Sequence, residues 1–272
     1  MKKVPNLSLV YNGPSAEIGA KACAVNLEGF SAYYGKNCIL SDVNLKLPKK
    51  GVTSLVGPSG TGKSTILRWL NRINEDTENA TYSGTMKVLD RDVLTGYPDV
   101  TELRRKVGMV FQQPCVFPCS IYDNMLMGLR HRKLSKTDAR DLVEQGLKSA
   151  SIWNEVSHRL EERADSLSLG QQQRLCLARS LVLKPDILLL DEPTASIDPV
   201  SCRAIEDLVI SLGKDIAVVM VTHNIGQAKR ISDHVVFICD GEVVEQGSRA
   251  HMFSYRSSQK TRTYFTEEFC DC

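Results

Sequence analysis

The hydrophobic residues of the chain follow two different periods. Between residues 25 and 56 apolar and polar side chains alternate in short runs, most clearly at 43–47, which is typical of strands with one exposed face. After residue 62 apolar residues recur every three or four positions, which predicts a helix. Residues 74–101 are polar and turn-rich, apart from a predicted strand at 84–89. This part of the chain therefore predicts an antiparallel β region and a helix.

The second half of the chain changes from helical segments to alternating helices and strands. Residues 120–165 carry helical periodicity and few strand formers. From residue 167 onward strands alternate with helices. The predicted strands at 187–190 and 217–221 are apolar throughout, as expected of central parallel strands covered on both faces. The pattern predicts an α/β protein with a mostly parallel sheet, an antiparallel β subdomain and a helical insertion at about 113–166.

Composition narrows the class of protein. The 272 residues carry 34 lysines and arginines against 32 aspartates and glutamates, a formal charge of +2, and 42 % of them are hydrophobic. This excludes collagen-like, disordered and disulfide-scaffold proteins. A charge so near zero gives no reason to expect nucleic acid or anionic lipid as the main partner. Residues 1–24 show no clear period and are interpreted as an N-terminal extension, while the length of the chain allows one large domain or two small ones.

Neither a membrane span nor a secretory signal is evident in the sequence. No apolar run approaches the roughly 18 residues that cross a bilayer, and the first residues lack the apolar stretch of a signal peptide. The nine cysteines are scattered and form no C-x-x-C pair, which argues against a structural zinc site and against thioredoxin-type chemistry. We therefore expect a cytoplasmic protein.

A glycine-rich turn lies between a β run and the helix that follows residue 62. It fits the pattern G-x-x-x-x-G-K-[ST], in which glycines let backbone N–H groups surround phosphate oxygens, the lysine reaches the outer phosphates and the hydroxyl binds Mg²⁺. We expect this loop to bind a nucleotide. With the next residue of the helix, its predicted binding residues are Gly57, Pro58, Ser59, Gly60, Thr61, Gly62, Lys63, Ser64 and Thr65.

Two carboxylates, Asp191 and Glu192, follow the buried strand that starts at residue 187. The carboxyl ends of parallel strands are where ligands bind in open α/β folds, so Asp191 is expected beside the glycine-rich loop, where it would hold Mg²⁺. Glu192 could polarise an attacking water. The alternative is an acidic strand end that is only solvated at a turn.

Further segments distinguish this chain from other nucleotide hydrolases with such a loop. They are Leu167–Gln171 before a helical segment, Gln112 after a strand, Asp198 in the loop after Glu192, His223 at a strand end, and Tyr33 and Tyr34 ahead of Gly35. In this order and spacing they resemble the nucleotide-binding subunit of ATP-binding cassette (ABC) transporters. The resemblance runs from about residue 25 to the C-terminus and implies that residues 25–272 form one ABC ATPase domain.

The resemblance implies a twofold pair of subunits that sandwich two ATP molecules. Each ATP would touch the glycine-rich loop of one subunit and the segment 167–171 of the other. Ser168 and Gly170 would contact a γ-phosphate across the interface, at a helix N-terminus. Gln171 and Asp198 are counted among the nucleotide-binding residues.

The resemblance also assigns roles near the reacting phosphate. Tyr34 would stack on adenine, with Tyr33 as the alternative, and Gln112 would contact Mg²⁺ and the attacking water. His223 would hold Glu192 and the γ-phosphate in position, although a histidine after a strand, taken alone, is more often a capping or packing residue. The predicted catalytic residues are Lys63, Gln112, Glu192 and His223, and the predicted metal ligands are Ser64, Gln112 and Asp191.

One position departs from the family pattern L-S-G-G-Q, because Leu169 stands where the first glycine is usual. A leucine does not freely adopt positive φ and adds bulk at the expected subunit interface. Ser168 and Gly170 are kept, so we expect a functional but altered ATP sandwich.

Longer stretches are similar to the ATPases of bacterial phosphate-import systems. They are RRKVGMVFQQPCVFPCSIYDNM, SIWNEVSHRL, GQQQRLCLARSL, THNIGQAKRISD and the tail KTRTYFTEEF. The resemblance implies a peripheral ATPase at the cytoplasmic face of the plasma (inner) membrane. Its partners would be two integral membrane permease subunits and, indirectly, an external solute-binding protein. Val116, Phe117 and Ile121 could line a groove for a permease helix, and they could also pack the helical insertion, since a groove needs a packed floor.

The sequence leaves three alternative functions open. The importer could carry another solute. The chain could be a soluble ABC-type ATPase of repair or translation, although such proteins typically have two cassettes or a long coiled-coil insertion. It could also be a module that no longer hydrolyses ATP, against which the retention of Lys63, Asp191, Glu192 and His223 argues.

Overall fold

The structure, a computed structural model, describes residues 23–267. All but the last two residues of the predicted N-terminal extension lie outside this range, as do Cys270 and Cys272 and the end of the tail. The first strand begins at Cys23, two residues before the predicted start of the domain.

Two sheets and a set of short helices make up the described part of the chain. The strands are β1 (Cys23–Tyr34), β2 (Asn37–Pro48), β3 (Gly51–Val56), β4 (Ala80–Val88), β5 (Arg91–Asp92), β6 (Val107–Val110), β7 (Ile187–Asp191), β8 (Ala217–Val221), β9 (His234–Cys239) and β10 (Glu242–Ser248). The α-helices are α1 (Lys63–Leu70), α2 (Val100–Lys106), α3 (Ile121–Leu126), α4 (Lys136–Ser149), α5 (Trp153–Val156), α6 (Leu169–Leu181), α7 (Pro199–Gly213), α8 (Ile225–Ile231), α9 (Arg249–Met252) and α10 (Gln259–Glu267). Between residues 23 and 267, no helix has both the length and the apolar character needed to cross a membrane.

The sheets have different strand directions. One is antiparallel, in the order β2-β1-β4-β5. The other has the order β10-β9-β3-β8-β7-β6, and its neighbours are parallel except for the hairpin of β9 and β10. The predicted α/β architecture, with a mostly parallel sheet, an antiparallel β subdomain and inserted helices, is confirmed.

The mostly parallel sheet is buried on both faces. Leu189 of β7 and Val219 of β8 pack into a core shared with α1 and the antiparallel sheet. Leu188 and Leu190 belong instead to a second core that contains the helices α3, α4 and α6. Because alternate side chains enter two different cores, all residues at 187–190 and 217–221 are apolar, as the sequence pattern predicts.

The fourth strand is longer than the local pattern indicates. It begins at Ala80, whereas apolar alternation predicts a start at residue 84. Ala80 pairs with Tyr34, and the pairing continues to Val88 opposite Val25. The partner strand therefore extends β4 through residues whose own sequence is polar and turn-like.

The C-terminal helices are fastened to β10 by one carboxylate. Glu245 is 6 % exposed. Its Oε1 lies 2.8 Å from Nε2 of His251, and its Oε2 accepts hydrogen bonds from the backbone N–H of Ser258 (2.9 Å) and the hydroxyl of Thr261 (2.5 Å). Burial alone would raise the pKa of Glu245, but these hydrogen bonds outweigh it and hold the pKa below its usual value.

Candidate functional site

The phosphate loop, residues 57–64, leads from β3 into α1, and two of its glycines leave no room for a side chain. At Gly57, with φ 150°, a Cβ would lie 1.9 Å from the carbonyl oxygen of Ile238. At Gly62, with φ 91°, a Cβ would lie 2.5 Å from Cδ2 of Leu40. The loop is thus packed tightly against β9 and β2, and it ends at a helix N-terminus, which suits it to bind an anion.

Lys63 begins α1, and its side chain is turned into the loop. It is 5 % exposed, and its Nζ donates hydrogen bonds to the carbonyl oxygens of Gly57 (2.9 Å) and Pro58 (2.5 Å). Burial lowers the pKa of Lys63, while the negative charges of Glu192 and Asp191 act in the opposite direction. The ammonium group therefore brings a positive charge to the centre of the phosphate loop.

Ser64 and Asp191 meet although 127 residues separate them. The hydroxyl of Ser64 donates to Oδ1 of Asp191 over 2.6 Å, and Asp191 is 5 % exposed at the end of β7. A hydroxyl and a carboxylate are hard oxygen donors of the kind that bind Mg²⁺, so this pair fits that ion. Across residues 23–267 no cluster of three or more His, Cys, Asp or Glu side chains could hold a metal. Mg²⁺ here would complete its shell with substrate phosphates and water.

Glu192 and His223 form the second polar pair. Oε2 of Glu192 lies 3.1 Å from Nδ1 of His223. Glu192 has φ 45°, a conformation that costs a non-glycine residue about 1–3 kcal/mol, and its backbone N–H donates to the carbonyl of Val221 over 3.1 Å. The end of β8 thus holds Glu192 in a strained backbone conformation beside the imidazole, where the carboxylate can act on a water.

Four neighbouring parallel strands bring the predicted catalytic groups to one edge of the sheet. In the order β3, β8, β7 and β6, their carboxyl ends lead to the phosphate loop, His223, Asp191 and Gln112. Gln112 is exposed, and the residue before it is fixed by the buried Gln173 of α6, whose Nε2 donates to the carbonyl of Phe111 over 3.0 Å. The roles of these residues remain predictions, but the structure places them at a common edge.

Tyr34 is linked by hydrogen bonds to α1 through Asn74, a residue that the sequence patterns do not single out. Its hydroxyl donates to Oδ1 of Asn74 over 2.8 Å, and Nδ2 of Asn74 donates to the carbonyl of Thr65 over 3.2 Å. Asn74 is 1 % exposed. The predicted adenine-stacking tyrosine is therefore tied to the helix that begins in the phosphate loop.

The remaining predicted nucleotide-binding residues lie together at two other helix ends. Ser168 caps α6, accepting from the N–H of Gln171, whose side chain accepts from the N–H of Ser168 in return. Asp198 caps α7 through the N–H groups of Val200 and Ser201, and the hydrogen bond from Ser201 lowers the pKa of this carboxylate. Gly170 packs on α7, because a Cβ there would lie 2.4 Å from Oγ of Ser201.

These helix ends and the phosphate loop are separate within the described chain. Between residues 23 and 267 no hydrogen bond or ion pair joins the segment 168–171 or Asp198 to residues 57–64. The residues predicted to bind nucleotide therefore form two groups that share no hydrogen bond or ion pair among the described residues.

Leu169 is the first residue of α6, and its φ is not positive. The expectation that this position needs a positive φ, which leucine does not freely adopt, is therefore wrong. A helical backbone accommodates leucine readily. The expected bulk is present, since the side chain is 44 % exposed.

An ion pair that the sequence patterns do not reveal contacts Gln171, one of the capping residues of α6. Arg174 is 6 % exposed and donates to both oxygens of Glu155, at 2.6 and 3.1 Å. Oε2 of Glu155 also accepts from Nε2 of Gln171 over 2.9 Å. Burial raises the pKa of Glu155, but the hydrogen bonds from Arg174 and Gln171 lower it by more. The partners lie on α5 and α6, so only their packing reveals the network.

The segment after Gln112 combines a packed interior with one exposed ring. Ile121 is fully buried and belongs to the core that contains α3, α4 and α6, as expected of packing within the helical insertion. Phe117 is 36 % exposed, and the guanidinium carbon of Arg179 lies 4.7 Å from the centre of its ring. Val116 is half-buried against the same core.

Comparison with known proteins is consistent with this geometry. Residues 40–195 match the family model described as ABC transporter. The chain is 41 % identical over 266 residues to the phosphate import ATP-binding protein PstB 2 of Aliivibrio fischeri (strain ATCC 700601 / ES114), which covers 97 % of this chain and 98 % of that protein.

Two solved structures share the fold. CbiO1 of Clostridium perfringens, part of the ABC transporter complex CbiONQ, has a TM-score of 0.75 and 26 % identity, covering 91 % of this chain and 96 % of that one. The ATP-binding cassette MJ0796, in a dimeric post-hydrolysis state bound to ADP and Pi, has a TM-score of 0.71 and 28 % identity, covering 83 % and 98 %. From the matched family and the extent of the 41 % identity, the chain belongs to the ATP-hydrolysing, ATP-binding subunits of the ABC transporter family.

Proposed function

We propose that this ATPase powers the import of inorganic phosphate, working as a pair of copies that enclose two ATP molecules. The observation that carries the hydrolytic part is the placement of the pairs Ser64–Asp191 and Glu192–His223 at one edge of the sheet. Phosphate as the solute is supported by the 41 % identity to a protein named for phosphate import.

Each polar group at this edge has a role in the hydrolysis of ATP. Lys63 and the backbone of the phosphate loop neutralise the outer phosphates. Ser64 and Asp191, with Gln112, hold Mg²⁺, which when bound offsets charge on those phosphates. Glu192 orients a water and accepts its proton as the water oxygen bonds to the γ-phosphorus and the bond to ADP breaks.

The proposed pairing gives both groups of predicted nucleotide-binding residues a role. The phosphate loop of one copy binds an ATP, with its adenine on Tyr34. Ser168, Gly170, Gln171 and Asp198 of the other copy cover the same ATP from the opposite side. The dimeric state of the similar cassette with ADP and Pi bound supports this arrangement.

The partners and location follow from the same proposal. Two permease subunits dock near Phe117, whose exposed ring lies beside Arg179 in the segment after Gln112. They hold the pair of ATPases at the cytoplasmic face of the membrane, and an external solute-binding protein delivers the solute on the other side. CbiO1, similar in structure, is itself part of an ABC transporter complex.

Steady-state ATP hydrolysis tests the assignment of the site. Glu192→Gln is expected to lower kcat by at least about 100-fold, because the general base is lost. Glu242→Gln, at an exposed glutamate on β10, serves as the matched control and keeps the wild-type rate. Equal rates for wild type and Glu192→Gln would contradict the proposed site.

Solute uptake tests the choice of phosphate. In cells lacking this gene, radioactive phosphate uptake should fall and should be restored by the wild-type gene but not by Glu192→Gln. The structural similarity to CbiO1 keeps an importer of another solute as the second candidate. Unchanged phosphate uptake, together with a loss of uptake of another solute, would favour that candidate.

A further inference from the structure

A buried glutamine connects the two loops that carry Glu192 and His223. Gln227 of α8 is 3 % exposed. Its Oε1 accepts a hydrogen bond from the hydroxyl of Thr222 over 2.8 Å, and its Nε2 donates to Oγ1 of Thr194 over 2.9 Å. One side-chain amide therefore spans two chain segments that are far apart in sequence.

The two threonines are close neighbours of the proposed catalytic groups. Thr194 lies two residues after Glu192, and Thr222 immediately precedes His223. Each of these two hydrogen bonds thus holds the side chain of a threonine that lies one or two residues from a member of the pair. The 3.1 Å separation of Glu192 and His223 depends on the relative position of these segments.

The amide itself is held in one orientation. Its Nε2 also donates to Oε1 of Glu206 over 3.0 Å, and Arg230 donates to both oxygens of Glu206, at 2.7 and 3.2 Å. Burial raises the pKa of Glu206, but the hydrogen bonds from Arg230 and Gln227 lower it by more, so the carboxylate stays ionised. An ionised acceptor requires the NH₂ end of Gln227 to face Glu206 and its oxygen to face Thr222.

We propose that Gln227 is a positioning residue for ATP hydrolysis, setting the distance and orientation of Glu192 relative to His223. It acts through Thr194 and Thr222 and does not touch the nucleotide. The inference rests on the proposed roles of Glu192 and His223. It predicts an effect on turnover rather than on ATP binding, because the phosphate loop lies on other elements of the fold.

Steady-state kinetics on the full chain test this inference. Gln227→Leu keeps a similar volume and removes all three hydrogen bonds, and it is expected to lower kcat about tenfold while KM for ATP changes less than about twofold. Thr194→Val removes only the link to the Glu192 segment at a half-buried position, and a loss of about threefold in kcat is expected. This second variant keeps the test usable if Gln227→Leu folds poorly.

Ser232→Ala is the matched control. Ser232 ends the same helix, and its buried hydroxyl donates to Oγ of Ser54 over 2.6 Å. This variant should lower Tm and leave kcat per folded molecule unchanged. Wild-type kcat in both Gln227→Leu and Thr194→Val, or a rise in KM without a fall in kcat, would overturn the inference. Full activity of Glu192→Gln would instead refute the proposed site.

Discussion

The hydroxyl of Ser64 lies 2.6 Å from Oδ1 of Asp191, which joins the first turn of α1 to the end of β7. Asp191 ends β7, and Ser64 follows the loop after β3 of the same sheet, so strand order brings the two side chains to one edge. It brings together two hard oxygen donors beside the buried ammonium of Lys63, and one positive and one negative group thus lie where a magnesium–nucleotide complex would bind.

Removal of the Ser64 hydroxyl should weaken Mg²⁺ binding. For Ser64→Ala we expect the Mg²⁺ concentration for half-maximal ATP hydrolysis to rise about 10- to 100-fold, because one oxygen donor is lost. A Mg²⁺ titration at fixed ATP measures this. Ser64→Thr keeps the hydroxyl and should behave like the wild type, whereas an unchanged Mg²⁺ requirement in Ser64→Ala would contradict the ligand assignment.

The glycines of the phosphate loop should differ in their tolerance of a methyl group. Gly57→Ala places a Cβ 1.9 Å from the carbonyl oxygen of Ile238, so it should cost more than about 3 kcal/mol of unfolding free energy. Gly60→Ala meets nothing within 4 Å and should cost only about 1 kcal/mol, from its φ of 83°. Denaturant unfolding compares the two, and equal costs would show that the loop adapts around Gly57.

Leu169 should strengthen the proposed pair of copies. Its exposed side chain would be partly buried by the second copy. Each of the two leucines would contribute about 1 kcal/mol, so the pair would lower the dimer dissociation constant roughly 30-fold. Leu169→Gly, made in the Glu192→Gln background with ATP present, should therefore dimerise more weakly in analytical ultracentrifugation. Ile210→Ala is the control. It removes a similarly exposed side chain, 41 % exposed, near the C-terminal end of α7. Tighter dimerisation of Leu169→Gly would show that the bulk is unfavourable.

Glu245 should make the attachment of the C-terminal helices depend on pH. The folded-state pKa lies below 4.5, so the carboxylate stabilises the fold above the unfolded value, and this contribution is lost as pH falls through the folded value. Glu245→Gln should cost about 1–3 kcal/mol near pH 7 and progressively less below about pH 4.5. Denaturant unfolding across this range measures the difference, with Glu242→Gln, an exposed change on the same strand, as control. A cost independent of pH would contradict the role of the charge.

The sequence was most informative where the groups of a site lie next to one another along the chain. Residues 57–64 contain the turn, the charge and the hydroxyl in one segment, and the carboxyl end of a wholly apolar strand locates Asp191. Strand order then brings Asp191 to Ser64, because the parallel strands β3, β8 and β7 end at the same edge of the sheet.

Other features depend on packing and could not be predicted from local patterns. Gln227 becomes meaningful only when α8 is placed against the segments after β7 and β8. Asn74 lies in a polar stretch with no period, yet it links Tyr34 to Thr65. For Leu169, the usual glycine of the family pattern suggested a special backbone, whereas the position is an ordinary first helical residue.

The separation of the phosphate loop from the helix end at Ser168 has a genetic consequence under the proposed pairing. A copy damaged at Lys63 still offers an intact Ser168 to its partner, and a copy damaged at Ser168 still offers an intact Lys63. Each defective copy paired with itself contains no complete site, but a mixed pair contains one. Two inactive alleles of this gene would therefore complement each other in the same cell.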